Sequence, residues 1–237
     1  MNSIRLFPNK QRGTVAVVLL STMLVLQFIF NIRTYYLKSN LGNRYTVQEL
    51  HAIKLDMING VISLILFVVY IITIVFFLRW FKRAYQNAAE LGVKLRYSTN
   101  MSVGAWFIPL FHWIGPVQMM LELYRNTEKI LIENSLTRKK KIRYILIFAW
   151  WFIYILCGII ALIDTIFILP RSDRLELAIW MADYLLFVNL LNFGLTILAI
   201  AVVNNYRKLE IKLNALSYVT ENKDNRNVET IDEGLIS

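Results

Sequence analysis

Asp164 and Asp183 are the residues whose placement first suggests chemistry. Each interrupts a long apolar run, on either side of the short turn Pro170–Asp173, which puts both at similar depth. A carboxylate in an apolar medium is costly unless a counter-charge, water or a shared proton supports it. Two arrangements answer that cost. Either the two acids share a cation or a proton, or each pairs separately with Arg33, Arg171, Arg174 or a tyrosine hydroxyl. Asn189 and Asn192 follow three apart on the same run as Asp183. They line a polar pathway or hydrogen-bond to a neighbouring helix.

His112 is the third candidate. It lies in "GAWFIPLFHWIGPVQ", Gly104 to Gln118, an apolar stretch broken by Pro109 and Pro116. A histidine there could ligate haem or a quinone, or act as a pH-sensitive gate. The plainer arrangement packs it between Trp106 and Trp113, bonded to backbone that the prolines free. No facing histidine is at hand, since His51 falls in a different segment. The sequence holds no serine–histidine–acid set, nucleotide loop or metal motif. Its one cysteine, Cys157, sits inside an apolar run and can form neither an internal disulfide nor a zinc cluster. No cofactor or metal is expected, and the separation of His112 from the two aspartates argues against an enzyme.

The elements that must carry these residues are hydrophobic helices. The 237-residue chain is 57% hydrophobic, a composition of membrane proteins. Four runs reach the roughly 20 residues a bilayer crossing needs: 14–32, 57–78, 144–169 and 177–203. Helices are required, because an isolated strand leaves its backbone unsatisfied in lipid. The first run is a retained signal anchor: it is span-length and no small-residue cleavage site follows it.

The net charge of +10 is read as topology, with no nucleic acid implied. Lys and Arg number 3 over residues 1–13, 12 over 79–143 and 5 over 204–237, against 4 over 33–57 and 2 over 170–176. That bias puts both termini on the cytoplasmic side. A fifth crossing by residues 104–121 would move Arg125, Lys129 and the run Arg138–Arg143 outside. The proline-broken stretch is therefore a re-entrant or interfacial segment, entering and leaving on the cytoplasmic side.

The cytoplasmic section 79–143 carries an amphipathic helix pair. Thr46-Val47-Gln48-Glu49 is a capping-box pattern, so the second helix starts well before the bilayer. It ends at Gly92. Unbroken from Val47 to Leu91 it would be about 65 Å long; a bend near Trp80 is the alternative. Arg79, Lys82, Arg83, Gln86, Asn87 and Glu90 mark one face, and Trp80, Phe81, Ala84, Tyr85, Ala88 and Leu91 the other. Pro116 opens the second helix, with Gln118, Glu122, Arg125, Lys129 and Glu133 on its polar stripe. Glu122 and Arg125 are spaced to pair. Both stripes read as solvated faces.

Residues 79–124 resemble a family. "RWFKRAYQNAAELG" (Arg79–Gly92), "LRYST" (Leu95–Thr99) and "GAWFIPLFHWIGPVQMMLELY" (Gly104–Tyr124) are similar to the bacterial membrane family known as domain of unknown function 4328. The matching positions are Trp80, Arg83, Asn87, Gly92, Arg96, Tyr97, Trp106, Phe107, Pro109 and Pro116. The family's asparagine between the two prolines is replaced by the sequence Phe111-His112-Trp113. The resemblance implies architecture, a bacterial inner membrane, and no mechanism.

After the fourth run a helical extension is expected over 204–219, with Leu209, Leu213, Leu216 and Val219 as a stripe able to pair with a second copy. Residues 220–237 read as a disordered tail. Gly158 and Ala161 offer a small-residue packing surface. The resulting expectation is an all-α integral membrane protein of four transmembrane helices. It is non-enzymatic, an oligomeric channel or sensor module gated or docked through Trp106, Pro109, His112 and Pro116. A scaffold or partner subunit using the basic cytoplasmic face, with anionic lipid headgroups bound there, is the second reading. A membrane enzyme is the third.

Overall fold

The computed structural model describes residues 6–41, 49–163, 166 and 175–236, with side-chain surroundings over 6–36, 60–163 and 184–218. The chain is 84% helix. Four long helices dominate: α1 (Lys10–Leu41), α2 (Glu49–Glu90), and, after two short elements, α5 (Lys141–Ile163) and α6 (Leu175–Ile236). Between α2 and α5 lie α3 (Met101–Gly104), a single 3₁₀ turn at Phe111–Trp113, and α4 (Gly115–Glu133). Each long helix contains a stretch long and apolar enough to cross a membrane, and only 11% to 22% of those stretches is buried within the protein. Apolar side chains turned outward on this scale require a lipid surround.

The chain divides into two compact units, and all four long helices contribute to both. The first comprises residues 1–15, 77–145 and 203–237. Its core is aromatic. Trp80, Phe81 and Tyr85 of α2, Met119, Met120, Leu123 and Tyr124 of α4, and Tyr206, Leu209 and Leu213 of α6 are all fully buried. Tyr206 stands edge-on to Trp80 at 5.9 Å between ring centroids and lies 5.2 Å from Tyr124. Such pairs add directional attraction to the burial itself.

Local chemistry explains where these elements start and stop. α2 is one uninterrupted helix of 42 residues, about 63 Å at 1.5 Å per residue. It ends before Gly92, which adopts φ +75° and donates its N–H to the Ala89 carbonyl at 3.0 Å. Pro116 sits in the first turn of α4, where a missing N–H costs nothing. α4 ends in a Schellman motif: Ser135 (φ 58°) and Leu136 donate back to Ile132 and Leu131 at 2.9 and 2.8 Å.

The second unit comprises residues 16–76 and 146–202. Ala16, Leu20, Trp150, Trp151, Ala199 and Val202 are buried inside it. Phe28, Leu64, Phe67, Phe152 and Phe187 are more than half exposed.

Several expectations need correction. Leu209 and Leu213 do not wait for a second copy; they are 1% exposed, packed within the first unit. Among the described residues, nothing lies within 4 Å of a Cβ built on Gly158, so none of them packs on Gly158. α6 extends to Ile236. Residues 220–236 contain no proline and a single glycine, Gly234, so nothing in the chain stops the helix earlier.

Candidate functional site

The family-like residues gather in the first unit, and most of them hold structure together. Trp80 is fully buried. The Arg83 guanidinium lies 4.5 Å from the centre of the Phe7 ring, a cation–π contact. Asn87, expected on a solvated face, is 1% exposed. Its amide is engaged at both ends: it accepts from the Phe7 N–H and donates to the Phe7 carbonyl, both at 3.0 Å. A second amide, Asn9, donates to Glu210 Oε1 at 2.8 Å. Asn87 and the Trp80 indole also face that carboxylate. Burial raises the Glu210 carboxyl above its ordinary range, and these polar neighbours counter it only in part. The segment before α1 is tied in this way to α2 and α6.

The polar stripe of α4 is also put to use. Glu122 does not pair with Arg125. It accepts from the Tyr85 hydroxyl and from the Arg96 backbone N–H, both at 2.7 Å. Tyr97 donates to Gln118 Oε1 at 2.7 Å, and Arg96 lies over the Tyr97 ring. Glu128, 2% exposed, forms an ion pair with Arg143 and accepts from the Tyr144 hydroxyl at 2.6 Å. Arg143 belongs to the basic run read from sequence as a topology anchor, so one of its charges is spent inside the protein. Burial among these groups pushes the Tyr124 phenol well above its ordinary range.

The proline-broken segment is a compact turn. Trp106 packs edge-on against Phe77 at 5.6 Å. Leu110 takes φ 64° and is 84% exposed, beside exposed Phe107 and Pro109. His112 is half-buried; its N–H donates to the Ile108 carbonyl at 3.0 Å and its ring meets Trp113 edge-on at 5.5 Å. Pro116 is buried, and a Cβ on Gly115 would overlap the Phe111 ring.

Asp164 lies outside the described residues. Asp183 is placed on α6, but its side-chain surroundings are likewise outside them. Among the described residues no three His, Cys, Asp or Glu side chains are grouped to hold a metal.

The second unit holds a cleft with unmet hydrogen-bonding capacity. A cleft of about 270 Å³ opens between α1, α2 and α6. Its polar lining is Gln27 and Asn31 from α1, Ser63 and Tyr70 from α2, and Asn189 and Asn192 from α6. The apolar lining is Met23, Phe30, Leu66 and Phe67. Asn31 donates its amide N–H to the Gln27 backbone carbonyl at 2.8 Å, which fixes the direction of its oxygen. Asn192 does the same to Val188 at 3.0 Å. The side-chain oxygens of Gln27 and Asn31 are buried and accept no hydrogen bond. Both residues are nine-tenths buried. Two orphaned acceptors in a low-dielectric site carry a desolvation cost that a donor would relieve.

The sequence marks Asn189 and Asn192 for a polar pathway or for helix packing, and Gln27 and Asn31 are missed. The signal was present: two amides four residues apart inside the apolar run 14–32 share one helix face.

The sequence pattern of the family described as "Domain of unknown function (DUF4328)" matches residues 44–208. The chain belongs to the DUF4328 family. No curated protein and no solved structure matches it. The DUF4328 match takes in α2 to α5 and the membrane part of α6, but not the Gln27 and Asn31 side of the cleft.

Proposed function

We propose that this protein is a non-enzymatic inner-membrane sensor that takes a ligand into the amide-lined cleft of its second unit. The observation that carries this reading is the pair of buried, unsatisfied oxygens on Gln27 and Asn31 beside Asn189 and Asn192. Polar groups at membrane depth are costly and mark binding sites or pathways. The described lining of the cleft contains acceptors and hydroxyls and no nucleophile–base pair, which supports binding over catalysis. The charge bias supports cytoplasmic termini. The Asp164 and Asp183 pair remains, on this reading, a candidate ion or proton site.

Thermal unfolding of the purified chain against a panel of small polar solutes, monovalent cations and lipids tests the proposal. A ligand that binds only the folded state raises the midpoint in proportion to log concentration. The rise should vanish in Asn31→Leu. A panel that moves wild type and Asn31→Leu equally would remove the cleft as a binding site. Proteoliposome flux of the same solutes separates sensing from conduction.

A second reading is favoured by one observation. Arg138, Lys139, Lys140 and Lys141 are all exposed, a basic strip suited to anionic headgroups or an acidic partner. Crosslinking in native membranes tests whether the chain works as a homo-oligomer or as a partner subunit.

A further inference from the structure

The cleft of the second unit also indicates the kind of molecule it takes, and this inference rests on reading that cleft as a ligand site. We propose that it binds the hydroxyl headgroup of an uncharged lipid alcohol, the chemical class of diacylglycerols and long-chain alcohols. The orphaned Gln27 and Asn31 oxygens call for a hydrogen-bond donor. Among the described residues, no Lys, Arg, Asp or Glu lines the cleft. A phosphate-bearing headgroup would therefore find no counter-charge there, and a cation would find no carboxylate. A neutral O–H donor meets neither difficulty.

The rim specifies the rest of the ligand. Phe67 is 61% exposed and Tyr70 44% exposed, so the polar floor opens past aromatic side chains on a helix whose outward face is apolar. The molecule that fits is polar at one end and apolar at the other. A volume of about 270 Å³ falls just below the range that encloses whole drug-sized ligands; it suits a headgroup with its chains left in the bilayer. A second copy of this chain is the competing occupant, because transmembrane amides also join helices. A concave surface is not complementary to itself, as a two-fold contact requires, and this favours the lipid.

The test uses the full chain in phospholipid nanodiscs with two photoactivatable probes. One is a diacylglycerol and the other a phosphatidylcholine, each with a diazirine in one acyl chain. The diacylglycerol probe should label the peptides around Met23–Asn31 and Ser63–Tyr70 about fivefold more than the phosphatidylcholine probe, the factor expected for one net hydrogen bond. Unlabelled dioleoylglycerol should compete. Its methyl ether, which lacks the donor, should not; this comparison needs no variant. Gln27→Leu/Asn31→Leu should abolish the preference while retaining wild-type helicity by circular dichroism.

Equal labelling by both probes, or equal competition by the alcohol and its methyl ether, would overturn the proposal. So would a Ser63→Cys crosslink between copies, made in a Cys157→Ser background and lost in the double variant. If a different solute stabilises wild type and not the double variant while the diacylglycerol preference is absent, the lipid assignment falls and the cleft stands as a ligand site. If no compound separates wild type from the double variant, both fall.

Discussion

Asn87 holds the backbone of Phe7 with both ends of its amide, accepting from the N–H and donating to the carbonyl at 3.0 Å each. The geometry is that of a strand pair made by one side chain, eighty residues away in sequence. Both bonds are lost in Asn87→Leu. Removing a partner from a buried polar contact costs about 1–3 kcal/mol. The expected result is faster proteolysis ahead of α1 and a lowered unfolding midpoint. Unchanged protection of that segment would show that Asn87 does not hold it.

Glu128 and Arg143 form a buried ion pair in the first unit. Arg143→Met leaves the carboxylate buried with only the Tyr144 hydroxyl, and breaking such a pair costs about 3–5 kcal/mol. The double variant Glu128→Leu/Arg143→Met should recover most of that loss. A double-mutant cycle in denaturant or heat measures the coupling.

Gly92 tests the backbone alone. Its φ is +75°, and nothing lies within 4 Å of an added Cβ. Gly92→Ala should therefore destabilise by about 1 kcal/mol through conformational strain without a clash. Gly115→Ala should cost more, about 1–3 kcal/mol, because its Cβ meets the Phe111 ring. A larger loss at position 92 than at 115 would contradict this ordering.

The exposed turn at Phe107–Leu110 gives a topological prediction. Trp106 packs on Phe77, near the end of the apolar part of α2, so with the proposed cytoplasmic termini the turn is expected at the cytoplasmic membrane interface. A solvatochromic label on Leu110→Cys, in a Cys157→Ser background, should report an apolar setting. A membrane-impermeant label applied from the periplasm should reach neither Leu110→Cys nor His112→Cys.

The helices, their apolar stretches and the Pro116 start were legible because each follows from a local rule of length, composition or capping. The family membership was legible from Trp80 to Tyr124 because its motif is dense there. The fates of individual polar residues were not. Asn87 and Glu122 have the spacing of a solvated stripe, yet Phe7, Tyr85 and Arg96 meet them from other parts of the chain. Helical periodicity places a residue on a face; it does not say which distant segment covers that face. Leu209 and Leu213 were misassigned for the same reason. Gln27 and Asn31 were passed over because two amides scarcely dent the hydropathy of a span, although their shared face was there to be read.

The cleft also has a history in time. A chain made from its N-terminus commits α1 to the bilayer first, with Gln27 and Asn31 on it. Ser63 and Tyr70 arrive with α2, and Asn189 and Asn192 only with α6. Until then the two amides face whatever the membrane offers. A chain cut short ahead of Asn189 would lack the α6 wall of the cleft and leave its α1 and α2 polar lining open on that side.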